Sequence, residues 1–177
     1  MTAPSLKYAR VERERRWLVD PAVPLPACDD TLAIVDRYVT GSRLRLRETL
    51  AADGTRTRKL GHKVRLGEGP EAIACTSLYL DEGEWGLLAA LPSHELRKER
   101  RRLRVDGHGV AVDVFSDACA GLVMVEIDGA PDLSPGDVGL AAVAEVTLDE
   151  RFTGGVLAGL PREGLLALLA EHGVVPA

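Results

Sequence analysis

Glu12 and Glu14 stand two apart in VERERRWLV, and Glu126 and Asp128 stand two apart in LVMVEID. In an extended strand, residues two apart share a face. Each pair therefore presents two carboxylates on one side, and Arg16 continues the first face. Like charges at neighbouring same-face positions repel, so each pair calls for a compensating group. The cations are sorted in the same way. Arg43, Arg45 and Arg47 share one face of RLRLR, and Lys59 and Lys63 share one face of TRKLGHKVR. Lys98, Arg100, Arg102 and Arg104 share a face of RKERRRLR, while Asp113 stands among valines in VAVDVF. A sheet face turned to water usually mixes the two signs to gain cross-strand pairs. Sorting by sign, repeated over most strands, points to a common polar interior. Converging carboxylates there suit a hard divalent cation, Mg²⁺ or Mn²⁺. Arginines and lysines suit phosphate oxygens. A ligand that needs both is a metal-bound polyphosphate. The same residues also allow a simpler arrangement, in which Glu12 and Glu14 pair across strands with Arg45 or Arg100 and hold no metal.

These faces need strands to carry them. The alternation reads as strand over 8–19, over YVTGSRLRLRETL with a bulge at Thr-Gly-Ser, over TRTRKLGHKVRL, IACTSLYL, RKERRRLRV, VAVDVF and AGLVMVEIDG. AADGT and DGHG read as hairpin turns, and GEGPEA as a further turn. A short helical turn is expected over Asp30–Val35 behind an Asp cap. EGEWGLLAALP has helical spacing, with Trp85, Leu88 and Leu91 as its core face. PREGLLALLAEHG reads as a C-terminal helix on the barrel exterior, begun near Pro161 and stopped at Gly173. The expectation is an α+β, mainly β fold: seven or eight antiparallel strands with peripheral helices, a number that suits a closed barrel. About a dozen charges inside a barrel cannot sit dry. Each buried ion costs several kcal/mol against a total stability of about 5–15 kcal/mol. The interior must hold water and partners.

The 177 residues suit one domain, 1–177, with 159–177 as the C-terminal helical part. A content of 46% apolar and 28% charged residues excludes a disordered chain. The net charge of −5 argues against a nucleic-acid partner, so dense arginine reads as a confined anion site. No apolar run is long enough for a membrane span and no leader precedes the first strand, so the expected setting is cytoplasmic. Cys28, Cys75 and Cys119 are scattered, as reduced thiols are. His62, His94, His108 and His172 have no metal-ligand spacing. Aromatic residues are only 4%, which favours a small inorganic substrate over a base-bearing one. A monomer or a homodimer is expected.

Taken together, these segments resemble the CYTH domains, or triphosphate tunnel metalloenzymes. Glu12-Arg13-Glu14-Arg15-Arg16 is similar to their ExExK, with Arg16 at the lysine position. DRYVTGSRLRLRE, RKLGHK, LRKERRRL, VDVFSDACAGLVMVEID and EVTLDERFTGGVLA resemble their later motifs in order, over Tyr8 to Ala158. The resemblance implies an eight-stranded antiparallel closed barrel, open at both ends, that holds a triphosphate. It implies Glu12, Glu14, Glu126 and Asp128 as metal ligands, with Asp113 as another. It implies Arg43, Arg45, Lys59, Lys63, Lys98 and Arg100 as phosphate contacts, and Glu12, Glu14 and Arg16 as catalytic. Members include inorganic, thiamine and RNA triphosphatases and one class of adenylate cyclases. The implied activity is metal-dependent hydrolysis, foremost of inorganic tripolyphosphate. The alternatives are a class IV-type cyclase, a thiamine triphosphatase and a non-catalytic polyphosphate-binding module. The chain departs from the pattern at Arg16, at Ala111 where many members carry an acid, at Asp128, and at Gly154 and Gly155.

Overall fold

The structure is a computed structural model that describes residues 6–66 and 72–175. Among these residues, ten strands form one antiparallel sheet: β1 (Arg10–Glu12), β2 (Glu14–Val19), β3 (Asp30–Val39), β4 (Leu44–Ala51), β5 (Arg56–Arg65), β6 (Ile73–Tyr79), β7 (Ser93–Val105), β8 (His108–Phe115), β9 (Val123–Asp128) and β10 (Ala142–Glu145). Three helices accompany them: α1 (Glu82–Ala89), α2 (Gly154–Gly159) and α3 (Arg162–Glu171). The strand order is β1-β6-β5-β4-β3-β7-β8-β9-β2-β10.

The expected closed eight-stranded barrel is not what forms. The hydrogen-bonded sheet is open and has ten strands. The reason lies at Arg13. Before it, β1 pairs with β6; after it, β2 pairs with β9 and β10. One continuous stretch of chain thus serves both sides of the sheet, but with its first half on one side and its second half on the other. The ladder breaks where the partner changes.

Three other expectations are revised. Residues 30–35 are part of β3 and not a helical turn, because β3 is bonded on both sides, to β4 and β7. Its Thr31, Ile34 and Val35 suit a strand better than a helix. YVTGSRLRLRETL is two strands, joined by a turn in which Gly41 takes a positive φ of 72°. Helix α1 is capped as its sequence suggests, with Asp81 accepting from the Glu84 N–H and Glu84 from the Asp81 N–H. It buries none of its residues, however. Trp85 lies under the Arg58 guanidinium on the outer face, and Leu91 is exposed. GEGPEA falls mainly outside the described residues. Asp106 and Gly107 both take positive φ between β7 and β8, as a two-residue hairpin turn requires.

Two apolar clusters hold the sheet. One lies outside β2, β8 and β9, where Trp17, Val19, Val112 and Val125 meet Ala130 and Leu140. The other lies inside, at one end. Leu18, Leu96, Phe115 and Met124 continue the inward faces of β2, β7, β8 and β9 and pack with Phe152, Leu157, Leu165 and Leu169. The inward faces of these four strands thus change from charged to apolar at one level. Helices α2 and α3 seal the interior there, so α3 covers an end of the fold and not its outer wall. Among the described residues, no helix is long and apolar enough to cross a membrane.

Candidate functional site

The inward faces enclose a cavity of about 990 Å³, a size that suits a small-molecule ligand. Among the described residues, eleven arginines and lysines line it against six aspartates and glutamates. Buried Asp36 and Asp113 stand behind these lining groups and offset two more of the cations. The interior is thus cationic although the chain carries −5.

The carboxylates arrive by strand register. Glu14 stands opposite Asp128, and Arg16 opposite Glu126, across β2 and β9. Glu12 reaches the same cavity from β1. Its Oε2 accepts from Lys63 Nζ at 3.1 Å and from the Cys75 thiol at 2.9 Å. Burial pushes the Glu12 carboxyl up, but the Lys63 charge, the Cys75 thiol and Arg45 outweigh it and leave it below its ordinary value. Burial and the Glu12 carboxylate push the Cys75 thiol up to about 12, so it stays a neutral donor. Burial pushes Glu14 up, reinforced by the neighbouring Glu126 charge and opposed by Lys63, Arg100 and Arg16. Glu126 goes the other way: burial opposes its ionisation, but Arg100 and Lys98 hold it well below the carboxylate range. Two adjacent carboxyls are thereby driven apart by one repulsion.

Asp113 is wholly buried behind the cavity. It receives two bonds from Arg100, at 2.7 and 2.6 Å, and a third from Lys98. Arg100 also reaches Glu126. Burial depresses Lys98, and Asp113 only partly restores it. With its oxygens taken by two cations, Asp113 stands here as a strut beneath the cations and not as an open ligand. A second strut, Asp36, holds Arg47 through two bonds of 2.6 Å and lies 3.5 Å from Arg45. Burial raises Asp36, but Arg47 and Arg45 bring it down to about 2.

Of the residues singled out from the sequence, Glu12, Glu14, Arg16, Arg43, Arg45, Lys63, Lys98, Arg100, Glu126 and Asp128 all line the cavity. Arg43 precedes β4, at an exposed position. Lys59 does not line the cavity. It shares a face with Lys63 but lies four residues back along the strand, where its ammonium sits 4.6 Å over the exposed Tyr79 ring. Asp128 accepts from the Arg13 backbone N–H at 3.0 Å. Glu12 pairs with Lys63, not with Arg45 or Arg100. Arg16 is buried, and its guanidinium donates to the Phe152 carbonyl at 2.8 Å and the Thr147 carbonyl at 3.2 Å.

The sequence reading missed Arg10, Arg65, Asp36 and Tyr38. Arg10 and Arg65 line the cavity two residues beyond Glu12 and Lys63, so extending the period-two count would have found them. Asp36 was missed because it fell between the helical turn expected over 30–35 and the strand expected from Tyr38, and Tyr38 carried no charge to single it out. Tyr38 explains Gly154: a Cβ there would lie 1.9 Å from the Tyr38 hydroxyl.

Among the described residues, no three His, Cys, Asp or Glu side chains form a ready-made metal cluster. Carboxylates are still the donor type that Mg²⁺ or Mn²⁺ takes, usually one or two together with substrate phosphates, and a cation beside Glu14 and Glu126 would offset their repulsion.

The molecule is thus an antiparallel-sheet protein built around a charged interior. No family model matches the chain, and neither does any curated protein. Solved structures do. The inorganic triphosphatase NE1496 is 21% identical, with a TM-score of 0.52, over 83% of this chain and 93% of that one. A conserved hypothetical protein from Pyrococcus furiosus is 14% identical, with a TM-score of 0.51, over 93% and 91%. At these identities the likeness is one of fold.

Proposed function

We propose that this protein hydrolyses a triphosphate, foremost inorganic tripolyphosphate, with Mg²⁺ or Mn²⁺ as cofactor. One observation carries the reading: among the described residues, eleven cationic side chains stand against six carboxylates around one cavity, in a chain of net charge −5. A confined excess of positive charge with low-dielectric walls attracts a compact polyanion. The carboxylates gathered beside it would otherwise oppose that anion, which is the arrangement a bridging divalent cation resolves. The fold shared with NE1496, itself an inorganic triphosphatase, supports the same reading. Among the described lining residues, the Tyr38, Phe115 and Phe152 rings pack toward the sealed end. Beyond them, the described lining offers a nucleobase only the His62 and His108 imidazoles as aromatic surface.

Glu14 and Glu126, with Glu12 and Asp128 at their flanks, would hold the metal. When bound, such an ion neutralises phosphate charge and makes a coordinated water more acidic. Arg43, Arg45, Lys63 and Arg100 would contact the phosphates and stabilise the charge that spreads over the transferred group. Asp113 and Asp36 keep Lys98, Arg100 and Arg47 in place, so the donors need not reorganise during reaction.

The deciding measurement is product release from tripolyphosphate, ATP and thiamine triphosphate, each with Mg²⁺ and with Mn²⁺. Metal-dependent orthophosphate from tripolyphosphate is the expected result. Cyclic AMP and pyrophosphate from ATP, or tight tripolyphosphate binding without turnover, would overturn it.

A further inference from the structure

We propose that Arg16 is a positioning residue, whose guanidinium seats residues 146–157 against β2 and so fixes the floor of the cavity. This goes beyond the functional reading above and rests on it only for the kinetic part of the test.

Arg16 is 8% exposed and meets the returning chain at five points. Its two terminal nitrogens donate to the carbonyls of Phe152 and Thr147. Its backbone N–H donates to Thr147 Oγ1 at 2.9 Å. Its carbonyl accepts from the Val146 N–H at 2.8 Å and more weakly from the Thr147 hydroxyl. Next along each chain, Arg15 pairs with Glu145, which also accepts from Thr147. The remaining guanidinium nitrogen, Nε, lies 3.9 Å from Glu14. One planar fork therefore joins the carboxylate-bearing strand to a segment 131 to 136 residues later.

That segment supplies Phe152, Thr153, Gly154, Gly155 and Leu157 to the cavity lining. Gly154 sits directly on the Tyr38 hydroxyl, so a small shift of the segment moves a wall residue. The segment is also tied through Val146, Phe152 and Leu157, which pack in the inner apolar cluster, and through the Arg65–Glu150 contact of 3.5 Å, with Glu150 exposed. A guanidinium with fixed, diverging donors reaches two carbonyls at once, whereas an ammonium is a compact point charge. Each terminal nitrogen of Arg16 gives an N–H to a carbonyl of the segment, so the fork is committed to it.

Arg16→Lys separates the possibilities, because it keeps the positive charge and recreates the ExExK lysine. If Arg16 seats the segment, amide exchange across 146–157 rises about tenfold in Arg16→Lys. The KM for tripolyphosphate then rises about fivefold, with a smaller change in kcat. Wild-type exchange in that segment, or turnover at or above wild type with unchanged KM, would overturn the proposal. Should Arg16→Lys not fold, Thr147→Val removes the two hydroxyl contacts to the Arg16 backbone and leaves the guanidinium fork; exchange across 146–157 within about threefold of wild type supports the proposal, and a rise of about tenfold assigns the seating to the hydroxyl and overturns it. If the wild type neither binds nor hydrolyses tripolyphosphate, the functional reading fails, while the exchange data still decide the role of Arg16.

Discussion

The two halves of the cavity wall use the same residue types for different ends. On β7, β8 and β9, the charges are buried and matched: Lys98 and Arg100 bond Asp113, and Arg100 also reaches Glu126. Toward β1, β5 and the turn before β4, the charges are looser. Lys63 pairs with Glu12 at 3.1 Å with 39% of its side chain exposed, and Arg43 has no ion-pair partner among the described residues. A buried charge without a partner is costly, so the first half must be satisfied before any ligand arrives. An exposed charge pays little for standing alone, so the second half can keep capacity for a ligand. The first half reads mainly as scaffold, which holds Arg100 ready for the phosphates, and the second as binding surface.

The strongest way to break this contrast is Asp113→Ala. It leaves Lys98 and Arg100 buried without their shared anion, and the expected loss is about 3–5 kcal/mol, or a melting point lower by about 10 °C. A loss below about 1 kcal/mol in urea titration would remove Asp113 from the scaffold. Next in size is acid sensitivity through Asp36. Its folded value of about 2 lies below its reference of 3.8, so its contribution is present above pH 4 and fades as pH falls toward 2. The expected contribution is about 2 kcal/mol, and Asp36→Asn should flatten the stability curve over that window. Arg43→Gln tests the other half. Stability should stay within about 0.5 kcal/mol, while tripolyphosphate affinity measured by calorimetry falls about tenfold. Equal affinity would remove Arg43 from the binding surface. Lys59→Gln should change neither quantity, because its ammonium lies over Tyr79 outside the cavity; weaker tripolyphosphate binding would redraw the boundary.

Much of the site was legible because strand alternation is a local property. Counting by two put Glu14, Arg45, Lys98 and Glu126 on inward faces, and the structure puts all four in one cavity. The count failed where it was stopped early, at Arg10 and Arg65, and at Asp36, which follows residues 30–35 taken for a helical turn. It erred at Lys59, since sharing a face does not set the height along a barrel-like wall. Trp85 and Leu91 were expected in a core because helical spacing shows which residues share a side, not whether anything covers that side.

What the sequence determined alone was the sorting of charge onto strand faces, together with the change to apolar residues at Leu18, Leu96, Phe115 and Met124. Side-chain direction alternates with each residue, so those patterns need no knowledge of distant contacts. The tertiary structure decided which charge neutralises which, where the sheet opens at Arg13, and that Arg16 holds the returning chain. These depend on register and proximity between segments as far as 136 residues apart, and no local period encodes them.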